Sequence, residues 1–173
     1  VELSTGERIT AQTILVAAGG TPTLPRIEGI EHTITSNEVF HFDRLPGSIL
    51  IVGGGYIASE FSGIMNGLGV ATTQYYRGEQ ILRGFDNEAR DLVAGEMIKR
   101  GVDLRCGLNV EKIEKTPDGL LVTDTKGATQ IFDAVMYATG RSANTKNLID
   151  PSVGIDLGAK GEIVVDDYSQ TKV

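Results

Sequence analysis

The sequence is poor in residues that make covalent or metal cross-links: one cysteine, Cys106, and two histidines, His32 and His41, among 173 residues. A lone cysteine closes no internal disulfide, and one Cys with two His falls short of the four ligands of a structural zinc site unless carboxylates complete it. Positive charge is also scarce. The chain has 16 Lys and Arg against 23 Asp and Glu, a net charge of −7, which argues against nucleic acid as a partner, because non-specific affinity for it rests on clustered cations neutralising phosphates. No apolar run approaches the ~18 residues of a membrane span. Val1–Gly6 lacks the charged start and apolar stretch of a secretory leader, so a cytoplasmic location is expected. Proline is sparse, and three of the five fall at Pro22, Pro25 and Pro46, which marks that stretch as irregular. Glycine is plentiful, at 22, and 40 % of the residues are hydrophobic, enough for one sizeable core and too many for a disordered chain. The chain opens without Met on Val1-Glu2-Leu3, which reads as the middle of a strand, so a piece of a longer protein is expected.

Alternation over Val1–Leu3, a turn at Ser4-Thr5-Gly6 and the apolar run Thr13–Ala18 predict a hairpin without a core of its own. The next segment reads as a linker holding one short helix near Ser36–Phe40, with Ser36 as its cap. Ser48–Val52 is a short apolar run of the kind buried on both faces of a parallel sheet. From Tyr56, the residues Ile57, Phe61, Ile64, Met65 and Leu68 recur at helical spacing, and Gly67 with Gly69 supply the stop. Ala71–Arg77 reads as a strand and Gln80–Phe85 as a loop. Asp86–Arg100 reads as a helix capped by Asp86, with Ala89, Leu92, Val93 and Met97 on one side. Val102–Cys106 is a third strand. Asn109–Thr116 and Leu120–Asp124 form a hairpin through Pro117-Asp118-Gly119, Thr129–Phe132 adds a strand, and Ala134–Ala138 returns as a buried one.

Gly53-Gly54-Gly55-Tyr56-Ile57-Ala58 fits G-x-G-x-x-A between a predicted strand and a predicted helix. Gly53 permits the tight turn, Gly55 leaves room for a pyrophosphate at the helix N-terminus, and small Ala58 lets helix and strand pack closely. With the β-α-β-α-β order, this predicts an α/β fold: a Rossmann-like parallel sheet with helices and an antiparallel β-hairpin insert, a three-layer ββα arrangement. A ligand-free glycine-rich turn is the alternative reading. An NAD site would carry an acid about 20 residues on, at the end of the second strand, to bond the ribose 2′-hydroxyl. Here Tyr76 stands 23 positions after Gly53, Arg77 follows, and Arg83 comes six later. Guanidinium forks suit a 2′-phosphate, which favours NADPH over NADH. Two solvated arginines offset by Glu79 are the plainer alternative. Cys106, in a strand, reads as a small buried hydrophobe, and His32 and His41 as surface residues.

The stretches Ala17–Pro22, Val52–Glu60, Arg77 with Leu82-Arg83-Gly84-Phe85-Asp86, and Ala138–Leu148 resemble the NADPH-binding domain of the FAD-dependent pyridine nucleotide-disulfide oxidoreductases. The paired arginines and Leu-Arg-Gly-Phe-Asp point to the glutathione and trypanothione reductase branch. The resemblance implies an NADPH-dependent oxidoreductase that passes electrons through FAD to glutathione disulfide in redox homeostasis, as a homodimer at full length. It implies Gly53, Gly55, Tyr56, Ile57, Ala58, Glu60, Arg77, Arg83 and Gly140 as cofactor-binding positions. Tyr56 matches a gate over the flavin, and Glu60 lies beside the nicotinamide. Gly140 lines the cofactor cleft. It also implies residues 1–20 as the end of an FAD-binding domain, 21–47 as a connection, 48–143 as the NADPH domain and 144–173 as the return segment. The Cys-x-x-x-x-Cys redox disulfide of the family has no match in the sequence, so a catalytically incomplete piece is expected. Trypanothione reductase or another NADPH-dependent FAD disulfide oxidoreductase remains an alternative substrate reading. A stand-alone NADPH-binding or sensor module is the alternative of another class.

Overall fold

A computed structural model describes residues 1–173. The elements in chain order are β1 (Gly20–Pro22), β2 (Ile34–Thr35), β3 (Ser48–Val52), α1 (Tyr56–Gly67), β4 (Ala71–Tyr76), α2 (Asn87–Lys99) and β5 (Asp103–Cys106). They continue with β6 (Val110–Thr116), β7 (Gly119–Asp124), β8 (Thr129–Phe132), β9 (Ala134–Tyr137) and β10 (Arg141–Ala143). The chain divides into two compact units, one of Val1–Thr21 with Ser142–Val173 and one of Pro22–Arg141. No helix is long and apolar enough to cross a membrane.

The unit Pro22–Arg141 is built on a five-stranded sheet in the order β2-β9-β3-β4-β5, all of whose pairs are parallel. β3 is central, and Ile49–Val52 are all buried because neighbours cover both faces. Alternation divides its side chains between two cores. Ile49 and Ile51 pack with Ala58 and Met65 of α1 and with Met136 of β9. Leu50 and Val52 face the other way, with Tyr75, Val135 and Tyr137, onto Val110, Ile113, Leu120, Val122 and Phe132. Those last residues come from an antiparallel three-stranded sheet, β6-β7-β8. Helix, parallel sheet and antiparallel sheet thus form the three layers expected from the sequence. α1 meets the sheet through small residues, and the buried Ser62 hydroxyl donates to the Ala58 carbonyl at 2.8 Å.

Four local expectations fail for physical reasons. Thr13–Ala18 forms no strand, since no segment of the chain pairs with it, and Leu15 is 88 % exposed. The opening hairpin closes instead between Glu2 and Arg8. The connecting segment contributes an unexpected strand, β2, which pairs with β9, while the short helix expected near Ser36–Phe40 is present as a 3-10 turn, Glu38–His41, that buries Val39. Ser36 does not cap that turn. The Glu38 carboxylate accepts from the Thr35 amide and hydroxyl, which holds its pKa below the ordinary range. α2 turns a different face inward than its apolar spacing suggests. Met97 is buried, whereas Ala89, Leu92 and Val93 are exposed, as are Ile64 and Leu68 at α1. The inner face of α2 is fixed by its cluster with Ile81 and Val102 rather than by its own periodicity. Asp86 does cap α2, its carboxylate accepting from the Ala89 amide at 3.1 Å.

Ile51→Ala is expected to lower stability by ~2 to 5 kcal/mol, as large-to-small changes in close-packed cores do. Leu92→Ala should change it by no more than ~0.5 kcal/mol. Urea unfolding midpoints of the two variants check both the layer assignment and the outward face of α2.

Candidate functional site

The site begins where β3 ends. The Gly53 amide donates to the Tyr75 carbonyl at 2.9 Å, continuing the ladder for one residue, and the chain then turns into α1. The three glycines of the turn meet different surroundings. Gly53 has φ +149°, and a Cβ there would lie 2.4 Å from the Ala138 carbonyl oxygen on the neighbouring β9 segment. At Gly54 a Cβ would clash with the Tyr76 ring, 2.2 Å from its Cδ2. Gly55 has an ordinary φ of −87°, and no atom lies within 4 Å of where its Cβ would stand. The first two glycines therefore serve internal packing, and the third leaves a space open.

The carbonyls of this turn face inward. Gln74 Nε2 donates to the Gly53 oxygen at 2.9 Å, and the Leu82 amide donates to the Gly54 oxygen at 2.6 Å. A trans peptide points its N–H opposite its C=O, so the Gly54 and Gly55 amides are directed away from those partners. α1 has no side-chain N-cap, and its first helical bond is donated by Ser59 to Gly55. The amides of Tyr56, Ile57 and Ala58 therefore precede the hydrogen-bonded ladder. Consecutive free N–H groups at the positive end of a helix dipole form an anion site. Ala58 is fully buried, and its Cβ would come 3.2 Å from a Cβ at Gly53, which is the close helix-to-strand packing its small size was expected to allow.

The remaining candidates lie on loops and exposed faces. Tyr56 is 57 % exposed at the start of α1, and Glu60 is exposed one turn later, so the two occupy one helical face. Ile57 is half-buried. Arg77 and Arg83 are exposed on the loop after β4, and neither forms an ion pair, with Glu79 or any other acid. Gly140 follows β9, the strand beside β3. It is exposed with φ +146°, and the space at its Cβ position is open. Gly53, Gly55, Tyr56, Ile57, Ala58, Glu60 and Gly140 are thus gathered at the carboxyl edge of adjacent parallel strands, where open α/β sheets bind ligands.

Three features here are not specified by the sequence motif. Gly54 falls on a variable position of G-x-G-x-x-A. Gln74 lies wholly buried in β4, and its Oε1 has no partner while its Nε2 holds the loop. No local signal sets it apart, because β4 reads Ala-Thr-Thr-Gln-Tyr-Tyr and Gln74 follows two other polar residues. Leu82 has φ +57°, an unfavourable value for a side-chain-bearing residue, and no local sequence cue marks it. Cys106 lies half-buried at the end of β5, and burial pushes its thiol pKa up, away from a reactive thiolate. His32 and His41 are exposed, His32 within 3.7 Å of Glu31.

Gly53→Ala is expected to destabilise the fold by about 1 to 3 kcal/mol, the usual cost of a side-chain-bearing residue in a sparsely populated backbone region. Gly55→Ala should leave the thermal midpoint unchanged, because its Cβ meets nothing. Calorimetric melting of both variants reads the contrast. Cys106 should react with a thiol reagent at neutral pH many times more slowly in the folded protein than after denaturation, followed by absorbance of the released chromophore.

The model of the pyridine nucleotide-disulphide oxidoreductase family matches residues 1–173. The chain is 46 % identical over 167 residues to glutathione reductase of Burkholderia cepacia, covering 96 % of this chain and 37 % of that protein. It is 42 % identical over 171 residues to trypanothione reductase of Trypanosoma congolense, covering 96 % of this chain and 35 % of that one. Among solved structures it superposes on the HOCl-induced flavoprotein disulfide reductase RclA of Escherichia coli with a TM-score of 0.86 at 28 % identity, over 98 % of this chain and 40 % of RclA. The chain therefore spans little more than a third of the curated relatives it matches. With the glycine turn, the parallel sheet and the antiparallel layer in place, it belongs to the pyridine nucleotide-disulphide oxidoreductase family.

Proposed function

We propose that the protein binds NADPH at the carboxyl edge of its parallel sheet and is the NADPH-binding part of a flavin-dependent disulfide reductase, acting on glutathione disulfide. The observation that carries this reading is the open space at Gly55 beside the uncapped N-terminus of α1, a cradle that a Cβ would fill and that suits a pyrophosphate. Arg77 and Arg83, exposed and without acidic partners, are the groups offered to a 2′-phosphate. When bound, NADPH would supply a hydride for the flavin of the full-length enzyme. The chain binds and orients: backbone amides of the glycine turn and of Ile57 and Ala58 hold the pyrophosphate, and Gly140 leaves the cleft wall open. Tyr56 would gate the entry of the nicotinamide toward the flavin, and Glu60 on the same helical face would lie beside the ring.

Residues 48–143 form the NADPH domain in this reading. Residues 1–20 end the FAD domain, 21–47 connect the two, and 144–173 return toward the FAD and central domains. The full-length enzyme is a cytoplasmic homodimer that regenerates glutathione. A second substrate, trypanothione disulfide, is favoured by the 42 % identity to the Trypanosoma congolense enzyme. In this reading the disulfide is selected by residues of the full-length enzyme outside this segment.

Titration of the protein with NADPH and NADH at matched low salt tests the proposal. NADPH should bind more tightly, and Arg77→Ala should weaken it about tenfold or more while leaving NADH unchanged, since a charge-assisted contact contributes ~1.5 to 3 kcal/mol. Gly55→Ala should weaken both cofactors. Equal binding of the two cofactors by the unaltered protein would sink the NADPH assignment.

A further inference from the structure

Arg90 stands in the first turn of α2, where a positive charge opposes the helix dipole. It forms no ion pair with any acid. Each of its three guanidinium nitrogens instead donates to a neutral acceptor, two of them carbonyls of the preceding loop and the third the side chain of Asn87 at the start of α2. Nε donates to the Ile81 carbonyl at 2.7 Å, Nη2 to the Gln80 carbonyl at 2.8 Å, and Nη1 to Asn87 Oδ1 at 2.9 Å. The bonds to the Ile81 and Gln80 carbonyls are part-buried, that to Asn87 is exposed, and Ile81 itself is fully buried. The next residue, Leu82, carries the left-handed φ and donates its amide to Gly54 of the glycine turn. The side chains of Gln80 and Asp91 are also hydrogen-bonded, a second tie between the loop and α2. The far end of the loop is held separately, by the Leu108 amide on the Tyr76 carbonyl and the Gly107 amide on the Gly78 carbonyl. Arg77 and Arg83 therefore ride on a loop pinned at both ends, and Arg90 is the cation that pins the end bearing Arg83.

We propose that Arg90 is a positioning residue for cofactor selectivity: by holding the carbonyls of Gln80 and Ile81 it fixes Leu82 against Gly54 and so aims Arg83 at the 2′-phosphate of NADPH. This rests on the NADPH reading above. Two carbonyls one residue apart are spanned by the fixed fork of a guanidinium, which the point charge of a lysine cannot reproduce. The geometry concerns only the loop that distinguishes a 2′-phosphate from a 2′-hydroxyl. The anion site at α1 keeps its own supports, since the amides of Tyr56, Ile57 and Ala58 are fixed by the helix and the inward carbonyl at Gly53 is held by Gln74.

The test is a titration of the protein and of its Arg90→Lys, Arg90→Ala and Arg77→Ala variants with NADPH and with NADH, alongside thermal melting. Arg90→Lys keeps the charge, so it decides the outcome if Arg90→Ala fails to fold. The expected result is a loss of NADPH affinity of about tenfold in Arg90→Lys, the scale of one or two hydrogen bonds to a charged group, with NADH affinity held within about twofold. A merely structural brace would weaken both cofactors in proportion. That outcome overturns the inference, as does unchanged NADPH binding in Arg90→Lys while Arg77→Ala loses it. If the unaltered protein binds both cofactors equally and Arg77→Ala changes nothing, the NADPH reading itself fails and takes this inference with it.

Discussion

Two carbonyl oxygens turned inward hold the strand-to-helix turn in shape, that of Gly53 by Gln74 and that of Gly54 by the Leu82 amide. Peptide planarity then dictates that the following amides face away from those partners, and the uncapped first turn of α1 adds its own free donors. The hold on Gly53 comes from within the sheet and fixes the Gly54 amide, whereas the hold on Gly54 comes from the loop after β4 and ties that loop to the turn. Tight packing behind the turn leaves little freedom, because Gly53 abuts the Ala138 carbonyl and Gly54 abuts the Tyr76 ring.

The three layers explain why this turn lies where it does. β3 is covered on one face by α1 and on the other by the β6-β7-β8 sheet, so only its ends are available for binding. All five strands of the central sheet run in parallel, which places the turn after β3, the loop after β4 and Gly140 after β9 on a single edge. Deviations from local comfort collect there too. Gln74 buries an amide oxygen with no partner, Leu82 takes a left-handed backbone, and Arg90 sits against its helix dipole. Each lowers stability on its own terms, and all three act on the same turn and its neighbouring loop, as expected where local preference gives way to a functional geometry.

Misreadings of the sequence share one cause. Thr13–Ala18 has the composition of a buried strand but exposes Leu15, because pairing depends on a partner that no local pattern reports. The outward Leu92 and Val93 of α2 and the inward Val39 of the supposed linker are likewise decided by what packs opposite them. A two-residue strand such as β2 carries too little pattern to be seen at all.

By itself the sequence determined β3, α1, β4, the cap of α2 by Asp86, the β6-β7 hairpin and the position of the glycine turn, since these follow from short-range periodicity, capping and turn chemistry. It also marked Gly53, Gly55, Ala58, Arg77 and Arg83 by spacing alone. Only the tertiary structure decided why Gly54 is a glycine, where Gln74 directs its amide, and how Arg90 grips the loop of the two arginines. Those contacts join residues from different elements, and the distance between such elements is set by packing in three dimensions rather than by any order of residues along the chain.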